Sequence, residues 1–173
     1  ILALCAAPQH VFAQDEQDTA VARTFFYEGI ACADAGDHAC AADRFARSNE
    51  LRPSPVVVFN QAQAEAELGH LVVASELYRT VSRTAEGELA QAAQSSLDAI
   101  LPRLAQVTLV VDTSARVMLG DFEMQEAVRG VAVPLDPGEH HLRAFYGDQV
   151  AAEDTFFVRE GESITHTFIV PPP

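Results

Sequence analysis

Tryptophan is absent from this chain of 173 residues, and basic side chains are scarce, 11 against 25 acidic ones, for a formal charge of −14. Phosphate backbones and anionic headgroups are held by Lys and Arg through counterion release and Coulomb attraction, so an acidic chain without a basic run disfavours both as partners. A charged partner is expected to be basic, and its binding salt-sensitive. Long apolar runs are missing too: nothing approaches the roughly 20 residues that a membrane-spanning helix needs. Glycine and proline number nine each and are thinly spread between Asp18 and Ala105. What is plentiful is apolar residue, 49% of the chain, enough to bury a core and to exclude a disordered tail.

The first residues are expected to stand outside the fold. Ile1 to Pro8 (ILALCAAP) is apolar, Val11-Phe12-Ala13 offers small residues where a signal peptidase reads, and a polar QDEQD follows. With neither an initiator Met nor a basic stretch ahead of it, residues 1–13 read as the remnant of a signal peptide and 14–19 as a linker. A buried first helix is the alternative, and Cys5 as a lipid anchor is disfavoured by the bulky Leu4 before it.

Composition then switches once, near residue 105. Ala, Glu, Gln, Leu and Arg dominate before it and favour helix. After it, Val, Thr and Phe alternate with polar residues between Gly and Pro turns and favour strand. The helical half partly overlays itself at an offset of 33 residues: Gly36 falls on Gly69, Ala41 on Ala74, Phe45 on Tyr78, Gly29 on Ala62 and Phe25 on Val58. Residue size is preserved in these pairs, as close helix packing demands. Phe25, Gly29, Gly36-Asp37, Ala41, Phe45 and Pro53 stand at spacings that resemble the tetratricopeptide repeat (TPR). The resemblance implies two antiparallel helices per unit, meeting through small residues. A second unit runs from about Pro55 to Ala85, with Ala62 for Gly and no closing Pro, and Glu86 to about Leu101 reads as a capping helix.

Seven strands are expected in the second half: Val107–Val111, Arg116–Leu119, Phe122–Gln125, Val131–Leu135, His140–Tyr146, Asp154–Arg159 and Ser163–Val170. The run from Val133 through Asp136-Pro137-Gly138-Glu139 to Arg143 resembles the signature of PEGA domains, small β-sandwiches of bacterial envelope proteins. Two departures are the reversed Gly120-Asp121 order and the lack of a Gly-x-Thr-Pro stretch. The fold class expected is α+β in two segregated parts. TPR-like antiparallel helical hairpins, about five helices over 20–105, precede a small antiparallel β-sandwich of about seven strands over 106–170. The resemblance implies an exported protein, periplasmic or envelope-associated, of a Gram-negative bacterium. Pro171-Pro172-Pro173 reads as a tail or as the start of a stiff linker toward an anchor.

The sequence carries no motif for a chemical step. The nine glycines form no phosphate loop, and no Gly-x-Ser-x-Gly elbow occurs. His140 and His141 are neighbours on a strand and must point to opposite faces, while His38 and His70 fall at helix turns as solvated residues. No catalytic, metal-binding or cofactor-binding residue is assigned, and no enzyme is expected. Cys32 and Cys40 face one another across the first helical turn. Either they form a disulfide, worth roughly 2–3 kcal/mol for so short a loop, or both are small buried apolar residues.

The TPR resemblance implies binding on the concave face of the first helix of each unit, at Arg23, Phe26, Tyr27 and Ile30, then Phe59, Asn60, Gln63 and Glu67. Exposed rings beside an amide suit peptide capture. The competing reading has Phe26, Tyr27 and Phe59 packed away, and a clamp for a peptide carboxylate is not expected because Arg23 is the lone cation there. Three functions follow. The first is an adaptor holding a partner polypeptide. The second is a glycan or cell-wall module using Phe122, Phe145 or Tyr146 on the sandwich. The third is a regulatory fragment of a larger envelope enzyme or sensor.

Overall fold

A computed structural model describes residues 9–111 and 114–173. Five α-helices come first, α1 (Gln9–Asp34), α2 (His38–Leu51), α3 (Pro55–Glu67), α4 (Leu71–Thr84) and α5 (Gly87–Ile100). A short 3-10 turn, Leu101–Arg103, leads into seven strands. These are β1 (Ala105–Val111), β2 (Arg116–Leu119), β3 (Phe122–Glu123), β4 (Ala132–Leu135), β5 (Gly138–Tyr146), β6 (Gln149–Val158) and β7 (Ser163–Phe168). The fold is therefore α+β with segregated parts. The chain divides into two compact units, one up to Leu97 and one from Asp98 onward.

The 33-residue offset is realised bond by bond. Helices α1 and α3 end at Asp34 and Glu67, and α2 and α4 span equivalent residues. At the first turn Gly36 N–H donates to Ala33 O and Asp37 N–H to Cys32 O; at the second, Gly69 N–H donates to Ala66 O and His70 N–H to Glu65 O. This is the paired bonding that satisfies the last carbonyls of a helix through a left-handed glycine, and Gly36 and Gly69 have φ of 74° and 82°. Equivalent bonds also start α2 and α4 (Ala41 to Asp37, Ala74 to His70) and close them (Arg52 to Ser48, Ala85 to Val81).

Side chains diverge where the backbone does not. Asp37 caps α2 by accepting from Cys40 N–H at 3.0 Å. His70, its counterpart, caps nothing and instead pairs with Glu65 at 2.7 Å. Packing between α1 and α2 centres on Phe45, only 1% exposed, with Ala41, Ala42, Val57 and Ala64 around it. Gly29 on α1 faces this ring. Cys32 and Cys40 are joined by a disulfide with Cα atoms 5.7 Å apart.

Helix α1 extends through the stretch read as a linker, residues 14–19, which is helical throughout. Gln and Glu are good helix formers, and Arg52 anchors this stretch by donating to the Asp15 carbonyl at 2.7 Å and to its carboxylate. Of the segment 1–13 read as a signal-peptide remnant, residues 1–8 lie outside the described residues.

The second unit is built of two sheets, ordered β4-β1-β7 and β3-β2-β5-β6. Alternate residues point inward: Ala105, Val107 and Leu109 from β1, Val117 from β2, Leu142 and Ala144 from β5, Phe156 and Val158 from β6, and Phe168 from β7. One pairing departs from the antiparallel expectation, because β7 runs parallel to β1. The turn between β6 and β7 is too short to cross back over its own sheet, so the chain passes to the other sheet at the sandwich end. Gly161 makes that turn possible. Its φ is 65°, and a Cβ there would meet Pro102 O at 2.8 Å. Strand β6 begins at Gln149, earlier than the sequence suggests, because a tight Gly147-Asp148 turn joins it to β5. Strand β3 is shorter than expected and gives way to a 3-10 turn at Glu126–Val128.

Candidate functional site

Helix α1 carries Arg23, Phe26, Tyr27 and Ile30 on one face, as their spacing requires. The four do not share one environment. Arg23 is exposed and has no ion-pair partner among the described residues. Tyr27 is 64% exposed and meets Phe26 edge-on at 5.6 Å. Phe26 and Ile30 are half-buried against the Phe45 cluster, with the Phe26 and Phe45 rings 5.9 Å apart. Phe26 therefore serves packing as well as surface.

On α3, Phe59 is half-buried and meets Tyr78 of α4 edge-on at 5.5 Å. Asn60 donates its amide to Val56 O in its own helix at 2.9 Å, which commits one of its donors. Gln63 and Glu67 are exposed. Burial pushes the Tyr78 phenol above its ordinary value; a hydrogen bond with Ser96 opposes this, and the Glu67 carboxylate adds to it.

A recess of about 330 Å³ opens where α1, the end of α2 and the start of α3 meet. Its lining includes Ala22, Arg23 and Phe26 from α1, Arg52 after α2, and Val56 and Val57 from α3. Two of the eight expected groove residues, Arg23 and Phe26, are brought together here; Tyr27, Ile30, Phe59, Asn60, Gln63 and Glu67 are not part of its lining. Arg52 corrects the expectation that Arg23 is the lone cation. Pro53 disfavours helical backbone at the residue before it, and Arg52 accordingly adopts φ −141° and ψ 91°. Its guanidinium turns back to α1. The signal was present in Arg52-Pro53, but in sequence the proline marks only the end of a helix.

The sandwich offers a more polar hollow of about 430 Å³, lined by residues including Asp121, His141, Arg143, Glu153 and Thr155. His141 is held by Thr155 Oγ1 at 3.0 Å and lies 3.2 Å from Glu139. His140, on the opposite face of β5, stacks on Phe156 at 5.4 Å, and His166 stacks on the same ring at 4.5 Å while pairing with Asp154 at 2.8 Å. The three aromatics considered as sugar platforms are not assembled into one. The Arg116 guanidinium covers Phe145 at 4.6 Å, Tyr146 packs against the sandwich core, and only Phe122, 81% exposed, stands open.

Among the described residues no group of three or more His, Cys, Asp or Glu side chains could hold a metal ion, and no helix is long and apolar enough to cross a membrane. No family model, curated protein or solved structure matches this chain.

Proposed function

We propose that this chain is a non-catalytic interaction adaptor of the bacterial cell envelope that holds a partner polypeptide on its helical half. The tandem two-helix unit supports the reading, together with its resemblance to TPR proteins and that of the sandwich to PEGA domains. The observation that carries it is the recess between α1 and α3, floored by Ala22, Phe26, Val56 and Val57, with the exposed ring of Tyr27 meeting Phe26 edge-on beside it. An aromatic ring exposed beside a half-buried apolar floor gives a peptide contact area at small entropic loss.

Co-purification from the native envelope tests this. The full chain and a Tyr27→Asp variant, equal in fold by circular dichroism, are compared for a stoichiometric partner. The adaptor reading expects one polypeptide retained by the parent and lost from the variant. Retention of the same material by both, or retention of polysaccharide alone, would refute it.

A further inference from the structure

Every cation of this chain is an arginine, and most of those in the helical unit are already paired. Arg44 lies 3.4 Å from Glu28, Arg47 lies 3.0 Å from Asp43, and Arg79 contacts Glu76. At the recess the balance differs. Arg23 has no ion-pair partner among the described residues, and Arg52 is met by the single carboxylate of Asp15. Ser54 makes no side-chain bond to the helix it precedes, and the Ser48 hydroxyl is already spent on Ala22 O at 2.9 Å. The floor below them is Ala22, Phe26, Val56 and Val57.

Asp15 and Glu16 line the hollow on the far side of Arg23. On the recess side, an apolar floor beneath Arg23, Arg52 and the hydroxyls of Thr19 and Ser54 fits a ligand that is apolar on one side and anionic on the other. We infer that the recess takes a partner segment in which an apolar side chain is adjacent to Asp or Glu, with the side chain on Phe26, Val56 and Val57 and the carboxylate on Arg23. This rests on the adaptor reading and deepens it by assigning the partner's chemistry. Its sign is opposite to that expected from the total charge. The net charge of −14 acts at long range and is screened within about 8 Å at physiological ionic strength. The Arg23 contact is local, so it dominates once the segment is seated.

Random heptapeptides displayed on phage and selected on the immobilised full chain test the inference. Two variants serve as counter-selections. Arg23→Glu reverses an exposed charge that holds nothing in the fold. Val56→Asp puts a carboxylate into the recess at the first turn of α3, where an acid is tolerated by the helix dipole. The inference expects enriched sequences to carry Leu, Ile, Val or Phe next to Asp or Glu. A synthetic peptide of that sequence should bind about tenfold more weakly to Arg23→Glu, since an attractive surface pair is replaced by a repulsive one. It should bind Val56→Asp more weakly again.

Enrichment of basic or uncharged peptides that bind both variants as well as the parent would overturn the recess assignment. If their binding were abolished by Tyr27→Asp, the adaptor reading would survive that failure. No enrichment at all, joined to no partner in the envelope, would remove both.

Discussion

Replacing Gly29 by Ala should destabilise this protein, although the same change in most helices stabilises. In a helix interior Ala is favoured over Gly by about 1 kcal/mol. Here the added Cβ would lie 2.7, 2.8 and 3.1 Å from three atoms of the Phe45 ring. Ordinary contact begins near 3.4 Å, so the ring must move by about half an ångström or more. Phe45 is 1% exposed and packed against Phe26, so it has nowhere open to go. Overpacking of this kind costs about 1–3 kcal/mol, and the propensity gain offsets about 1 of that. A net loss of up to about 2 kcal/mol is expected. Urea unfolding of the full chain, followed at 222 nm, measures it, with the helical transition fitted separately because two units need not unfold together. The double variant with Phe45→Leu supplies the control. Once the ring is gone, Gly29→Ala should become neutral or stabilising, giving a coupling of about 1–3 kcal/mol. A stabilised single variant, or additive effects in the double, would refute the packing argument.

Other perturbations follow from the same geometry. The equivalence of Asp37 and His70 predicts opposite effects: Asp37→Ala should cost about 1 kcal/mol by removing a cap, and His70→Asp should gain about 0.5–1 kcal/mol by supplying one, both read from unfolding midpoints. Reduction should lower the stability of the helical unit by about 2.5 kcal/mol, the chain-entropy value for a loop closed at a separation of 8 residues. A Cys32→Ala, Cys40→Ala variant should show that loss from the start and be indifferent to reductant. Because burial raises the Tyr78 phenol, the folded state holds that proton more tightly than the unfolded chain does. Stability should therefore fall as pH rises through the ordinary tyrosine value of 10.0, and Tyr78→Phe should flatten that decline in alkaline denaturant titrations.

The helical half was legible in sequence because its turns are written in residue type. Gly36 and Gly69 mark the left-handed positions, and the small residues Gly29, Ala41 and Ala74 mark close approach, so spacing alone places the helices. In the strand half, inward and outward positions alternate clearly in β1 and β5. The parallel pairing of β7 was not legible, since strand partners depend on where the chain crosses between sheets. The start of β6 was missed because Gly147-Asp148 lies in a stretch with no strong alternation. The groove was only partly legible. Helical spacing places Arg23, Phe26 and Tyr27 on one face, but it cannot bring Arg52, Val56 and Val57 to them across the corner at Pro53. Nor could it show that Phe59 leans on Tyr78 or that Asn60 bonds its own helix.

Site-specific photo-crosslinking in the native envelope is the most direct test of the central claim. A photoreactive side chain replaces Tyr27, or Gln63 on α3, each exposed and not needed for packing, with Gln91 on α5 as control. The account predicts that one polypeptide is captured at Tyr27 and Gln63 and not at Gln91. Equal capture at all three positions, or none at Tyr27 and Gln63 in a folded chain, would contradict it.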